Sequence, residues 1–134
     1  DAVLLKRNGE QIVIAGVEDP LMGRDVEETM DEALENMDTD LFTVLLSHRP
    51  EQFDAYVKRE IDLVMTGHAH GGQIRLPFVG GLVAPSQGIL PKYSAGIFEE
   101  QQTKMVVNRG LGNSLFPYRI FNLPEIYVIQ LNKK

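Results

Sequence analysis

Three histidines are the residues of this sequence best suited to metal chemistry. His68 and His70 are separated by one alanine in the segment TGHAHGGQ, and the third histidine, His48, ends the segment LFTVLLSH. Imidazole is the commonest protein ligand for borderline transition metals. On an extended backbone, side chains two positions apart point the same way, so His68 and His70 could face one cavity. The pattern therefore predicts His48, His68 and His70 as metal ligands.

The segments that carry these histidines are expected to be buried, parallel strands. Residues 41–48 and 61–70 contain continuous apolar runs, and Pro50 suits the first turn of a short helix that reaches about Arg59. A strand, a helix and a strand at this spacing indicate a parallel pair with a crossover helix. Because the carboxyl ends of parallel strands meet at one edge of a sheet, this topology should bring the three histidines close together.

The remaining elements are predicted from turn-forming residues and from the spacing of apolar residues. They are a hairpin over 3–17, a helix capped by Asp25, mainly loop structure with short extended pieces over 71–96, a second hairpin over 95–110 and a last strand over 125–132. Together with the parallel unit, these elements predict an α/β fold with a mixed sheet. We expect residues 1–134 to form a single domain.

The composition excludes several classes of protein and site. The chain has 134 residues and no cysteine, so disulfides and thiolate metal ligands are excluded. A net charge of −6 argues against a general nucleic-acid binder. No apolar run approaches the roughly 18–20 residues needed to cross a bilayer. The first residue is Asp1 rather than methionine, and Lys133-Lys134 has the character of a natural carboxyl terminus. We therefore expect a piece of a longer chain.

Three segments in this order resemble the calcineurin-like metallophosphoesterases: LLSHRP, MTGHAHGGQIRLP and NRGLGNSLFPYRIFNLPEIYVIQL. They are most similar to a bacterial, often membrane-associated branch that resembles UDP-2,3-diacylglucosamine hydrolases. The resemblance implies the carboxyl-terminal half of an α/β/β/α sandwich that hydrolyses phosphoesters with two divalent ions such as Mn, Fe or Zn. It also implies that His48 and His68 bind one ion and that His70 binds the other. A parent protein of this branch is expected to be membrane-associated.

The chain departs from the family because the amino-terminal family elements are missing. Family members have D-x-H, G-D-x-x-D and G-N-H elements upstream, and none of these occurs here. The acidic segments over 17–20 and 23–25 are not expected to replace them, because no histidine accompanies either segment. Neutral imidazoles carry no negative charge, so two dications held close together need carboxylates as well. We expect at most one weakly bound ion, no activity from this chain alone, and the missing half as its partner.

Four further residues are candidate contacts to a phosphoester substrate: Gln73, Arg75, Arg109 and Arg119. Arginine is suited to bidentate recognition of phosphate, although a surface arginine is more often simply solvated. An alternative function also remains open at this point. The chain could be a non-catalytic metal-binding or self-assembling domain, with a homodimer formed through an exposed sheet edge.

Overall fold

The computed structural model describes residues 1–38, 40–114 and 117–132, so that Lys133 and Lys134 lie outside the described residues. Its strands and α-helices in chain order are β1 (Ala2–Arg7), β2 (Glu10–Gly16), α1 (Val26–Leu34), β3 (Thr43–Leu46), α2 (Phe53–Lys58), β4 (Leu63–Thr66), β5 (Arg75–Leu76), β6 (Gly80–Gly81), β7 (Val83–Ala84), β8 (Gly88–Ile89), β9 (Gly96–Glu100) and β10 (Thr103–Val107). None of the helices in the described ranges has the length and apolar character needed to cross a membrane.

A six-stranded mixed sheet organises the fold, with the strand order β1-β2-β3-β4-β10-β9. The four inner strands are parallel to one another, whereas β1 and β9 pair antiparallel with their neighbours. This arrangement confirms the mixed α/β fold, both hairpins and the β3–α2–β4 parallel unit. It also contains a second parallel unit, β2–α1–β3, which the sequence analysis did not predict.

Both helices cover the same face of the sheet. The Asp25 side chain caps α1 by accepting a hydrogen bond from the Glu27 backbone N–H at 2.7 Å, which satisfies a donor that the first turn leaves free. The helices and the inner strands then bury one continuous apolar cluster, whose members include Met30, Leu45, Phe53, Tyr56, Val64 and Met105. This cluster is the main core of the chain.

The opposite face of the sheet is apolar but only partly covered. Val44, Leu63 and Val106 are buried there, and Tyr127 from the carboxyl-terminal segment packs against them. Towards both sheet edges the cover ends, because Val3 is 56% exposed and Ile97 is 62% exposed. A sheet normally buries such a face against another layer. We call this surface the open face.

The predicted last strand over 125–132 is wrong, because the structure assigns no strand to these residues. Two of the alternating apolar residues that suggested a buried strand are largely exposed, since Ile126 is 73% exposed and Val128 is 92% exposed. Instead of extending a sheet edge, this segment lies across the open face, where Tyr127 makes its contact. Alternation alone cannot indicate whether a neighbouring strand is available for pairing.

Candidate functional site

The carboxyl ends of the parallel strands meet at one edge of the sheet, and the loops that follow them form the candidate site. Asp19 follows β2, His48 follows β3, His68 follows β4 and Arg109 follows β10. The His48 and His68 rings are in contact, with their centroids 4.4 Å apart. The predicted parallel topology thus brings two of the three histidines together.

His68 and His70 do not lie on extended backbone, so that assumption of the sequence analysis is wrong. Strand β4 ends at Thr66, and the two histidines have positive φ angles of 40° and 46°. The chain turns immediately after the strand, and a 3₁₀ turn spans His70–Gly72. The rings consequently have different neighbours. His68 contacts His48, whereas His70 is hydrogen-bonded to the backbone of Gly112.

A buried arginine, Arg49, occupies the centre of the site. It is only 5% exposed, and its Nη1 lies 3.0 Å from Nε2 of His68. Its Nε donates to Oδ1 of Asp19 at 2.9 Å, and Ser86 accepts a further hydrogen bond from Nη1. Since a guanidinium only donates, Nε2 of His68 must be the acceptor and therefore carries its lone pair. A metal ion at this nitrogen would have to displace Arg49.

Asp19 belongs to the acidic segment 17–20, which was not expected to replace the missing family elements. No histidine is near it in the sequence, but in the fold its Oδ2 lies 3.7 Å from Nε2 of His48. The guanidinium of Arg49 also pairs with Asp19, with Nη2 and Oδ1 2.9 Å apart. This proximity arises because β2 and β3 are adjacent in the sheet, and it stays a prediction that the segment 17–20 does not replace the missing family elements. Recognising the β2–α1–β3 unit would have revealed this proximity.

The histidines fit a metal site by donor type but do not complete one. Among the described residues, no group of three or more histidine, aspartate or glutamate side chains is arranged to hold a metal ion. Burial lowers the pKa of His68, and the nearby Arg49 lowers it further. Burial also lowers the pKa of His70, although its hydrogen bond to Gly112 acts in the opposite direction. Both rings are therefore neutral at pH 7, which is the form that binds metals.

The lowered pKa values predict that the chain loses stability as the pH falls from 7 to 5. The unfolded chain takes up protons at His68 and His70 near their ordinary pKa of about 6.5, before the folded chain does, so acid favours unfolding. We expect the midpoint of urea unfolding to fall across this range. The dependence should be shallower in a His70→Gln variant, and an equally steep dependence in that variant would contradict the assignment.

Two of the predicted substrate contacts, Gln73 and Arg75, lie at the end of the turn that carries His70. Nη1 of Arg75 donates to the carbonyl of Gly71 at 2.8 Å. Gln73 is 6% exposed, and its Oε1 is buried without a hydrogen-bond partner among the described residues. Arg75 thus holds the turn, Gln73 is buried at its end, and contact of either residue with a substrate stays a prediction.

The other two predicted contacts belong to the loop after β10. Nε of Arg119 donates to the carbonyl of Gly112 at 2.9 Å, and its Nη2 donates to the carbonyl of Arg109. Nε of Arg109 lies 3.5 Å from Oε2 of Glu125, which makes an ion pair without the geometry of a hydrogen bond. Arg119 thus holds the loop that contacts His70. A role in substrate binding remains a prediction for both arginines.

Several curated proteins that are similar to this chain are named as metallophosphoesterases. An uncharacterized metallophosphoesterase of Bacillus subtilis, YkuE, is 37% identical over 125 residues, which cover 92% of this chain and 42% of the relative. The chain belongs to the metallophosphoesterase family. The UDP-2,3-diacylglucosamine pyrophosphatase LpxG of Chlamydia muridarum is 34% identical over 104 residues, which cover 73% of this chain and 31% of the relative.

Another relative of this metallophosphoesterase chain is named as a phosphodiesterase. The phosphodiesterase YaeI of Escherichia coli is 33% identical over 88 residues, which cover 66% of this chain and 32% of the relative. The chain spans less than half the length of these relatives and matches their carboxyl-terminal parts. No protein-family model matches the chain, and no solved structure matches it.

Proposed function

We propose that the full-length protein containing this chain is a metal-dependent phosphoesterase, and that this chain supplies the histidine part of its active site. The observation that carries the proposal is the contact between His48 and His68 at the carboxyl edge of the sheet, with 4.4 Å between ring centroids. In this proposal His48 and His68 bind one ion, and His70 binds a second ion. The relatives named as a metallophosphoesterase, a phosphodiesterase and a pyrophosphatase support hydrolysis of phosphoesters.

The amino-terminal half of the same protein is the proposed partner that completes the site. The histidines lack the carboxylates needed to hold two dications, and Asp19 is already paired with Arg49. The open face offers a place for a second sheet, because Val3, Leu46 and Ile97 are 45–62% exposed there. A second sheet on this face would bury these side chains and bring its own metal ligands to the same edge. The chain alone, residues 1–134 as one domain, is then inactive.

Association of the full-length protein with a membrane, and the identity of its ions as Mn, Fe or Zn, stay predictions. Imidazole ligands suit Zn and Fe, whereas a site that also has carboxylate ligands suits Mn. The substrate class is a phosphoester, to which Gln73, Arg75, Arg109 and Arg119 are the proposed contacts within this chain.

Hydrolysis assays of two proteins test this proposal. The full-length protein should hydrolyse the chromogenic phosphodiester bis(p-nitrophenyl) phosphate or the monoester p-nitrophenyl phosphate when Mn²⁺ is added, and a chelator should abolish the reaction. The chain of residues 1–134 should give no activity under the same conditions. An inactive full-length protein with its metal ions bound, or an active isolated chain, would contradict the proposal.

Self-assembly is the second candidate function, and the open face is the observation that favours it. The partly covered open face and, in the described part of the chain, the outer edge of β1 are both surfaces on which a second copy could pack. Sedimentation of the isolated chain measures this directly. A stable dimer that binds no metal would favour an assembly domain, whereas a full-length monomer that hydrolyses phosphoesters would exclude it.

A further inference from the structure

A buried asparagine, Asn122, is bonded to the backbone that carries His70. Asn122 is 2% exposed, and its Nδ2 donates to the carbonyl oxygen of His70 at 2.7 Å. The same nitrogen donates to the carbonyl oxygen of Gln73 at 3.2 Å. Fifty-two positions separate Asn122 from His70 in the sequence. One side-chain amide thus bridges the two ends of the histidine turn, residues 70–73.

The turn and the Asn122 side chain fit together only because residue 71 is glycine. Gly71 has a φ of +69°, and a Cβ atom at this position would overlap the carboxamide of Asn122. On the other side of the turn, a Cβ at Gly72 would overlap the backbone of Gly81 in β6. The histidine turn is therefore packed between Asn122 and β6, with no space for a side chain at residue 71 or 72 in this conformation.

Backbone hydrogen bonds deliver Asn122 to this position. The N–H of Arg75 donates to the carbonyl of Ile120 at 2.9 Å, and the N–H of Ile120 donates to the carbonyl of Gln73 at 3.2 Å. Residues 120–122 consequently run beside 73–75 and end with Asn122 below the turn. Outside this contact the segment is poorly buried, because Phe121 and Leu123 are 80% and 78% exposed. Asn122 is the residue through which the segment reaches the site.

We propose that Asn122 is a positioning residue for His70, which fixes the histidine turn and thereby the direction of the His70 imidazole. This inference rests on the proposed function, since His70 is there a metal ligand. His70 has a φ of +46°, a conformation that a residue with a Cβ rarely adopts without support. The two hydrogen bonds from Asn122 supply that support, because each engages a carbonyl of the turn itself. Groups that orient a metal ligand in this way strongly affect how tightly the metal is bound.

The test compares Asn122→Asp with a matched core variant in the full-length protein. The substituted carboxylate would keep the shape of the side chain but would place acceptors against the carbonyls of His70 and Gln73. Val13→Ala is the control, because Val13 is fully buried in β2 and its truncation weakens the core without touching the turn. Amide hydrogen exchange in peptides covering 69–75 should be about tenfold faster in Asn122→Asp, the amount expected for loss of such bonds. In Val13→Ala, the ratio of the exchange rate of these peptides to that of the rest of the chain should equal the wild-type ratio.

A metal titration of the same variants separates positioning from general stability. The Mn²⁺ concentration for half-saturation should rise about 10- to 100-fold in Asn122→Asp and stay at the wild-type value in Val13→Ala. Unchanged exchange over 69–75, or wild-type metal affinity in Asn122→Asp, would overturn the positioning role. A wild-type protein that binds no ion would instead overturn the proposed function, and the exchange rates alone would then decide whether Asn122 fixes the turn.

Discussion

Replacing His68 with alanine in the full-length protein is expected to lower kcat/KM for phosphoester hydrolysis by at least about 1,000-fold, because losing a metal ion removes several kcal/mol of transition-state stabilisation. His68 contacts His48 at the strand ends and is hydrogen-bonded to Arg49, so the substitution removes one of the two neighbouring imidazoles from this edge of the sheet. The measurement is initial rates with a chromogenic phosphodiester at saturating Mn²⁺.

A surface variant shows whether the loss is specific to the site. Gln11→Ala on β2 changes an exposed polar residue near the opposite end of the sheet, and we expect its kcat/KM to match that of the wild type. In the absence of metal the two variants should have similar melting temperatures, since His68 is only half-buried. Activity of His68→Ala within about fivefold of the wild type would exclude His68 as a metal ligand.

The largest expected effect on stability comes from Leu45→Ala, which should lower the free energy of unfolding of the chain by about 2–5 kcal/mol. Leu45 lies in β3, is fully buried and belongs to the main core beneath the helices. Alanine would remove its apolar contacts and leave a cavity that the packed sheet cannot close. Urea unfolding of residues 1–134, followed by circular dichroism, measures the change.

The next residue along β3 provides the matched control. Leu46 has the same side chain on the same strand, but it points to the open face and is 45% exposed. Leu46→Ala should therefore cost less than about 1 kcal/mol in the isolated chain. In the full-length protein the loss should be larger, because the proposed amino-terminal half covers this face. Equal losses for Leu45→Ala and Leu46→Ala in the isolated chain would contradict the description of the two faces.

The part of the fold that could be predicted from the sequence depends on strong local patterns. Two continuous apolar runs with Pro50 between them specify β3, α2 and β4, and the turn formers Asn8 and Gly9 specify the first hairpin. Because parallel strands must share an edge, the same patterns also predict that His48 and His68 are neighbours. This is the portion of the site that sequence periodicity can determine.

The features of the site that could not be predicted from the sequence depend mainly on contacts between segments that are distant in the sequence. Asp19 approaches His48 only because β2 lies parallel to β3, and a polar loop residue gives no indication of such pairing. Asn122 reaches His70 across 52 positions, and a lone asparagine after an aromatic residue does not differ in the sequence from one in a surface loop. The segment that contains His68 and His70 was predicted as extended because strand periodicity does not show where a strand ends.

The metal content of two purified proteins tests the central claim most directly. The full-length protein and the chain of residues 1–134 are each loaded with Mn²⁺ or Zn²⁺, desalted, and analysed by elemental mass spectrometry against protein concentration. We predict two ions per full-length protein, no more than one per isolated chain, and loss of bound metal from the full-length protein with His68→Ala. A full-length protein that retains no ion, or one whose ions are unaffected by changes at His48, His68 and His70, would contradict the account.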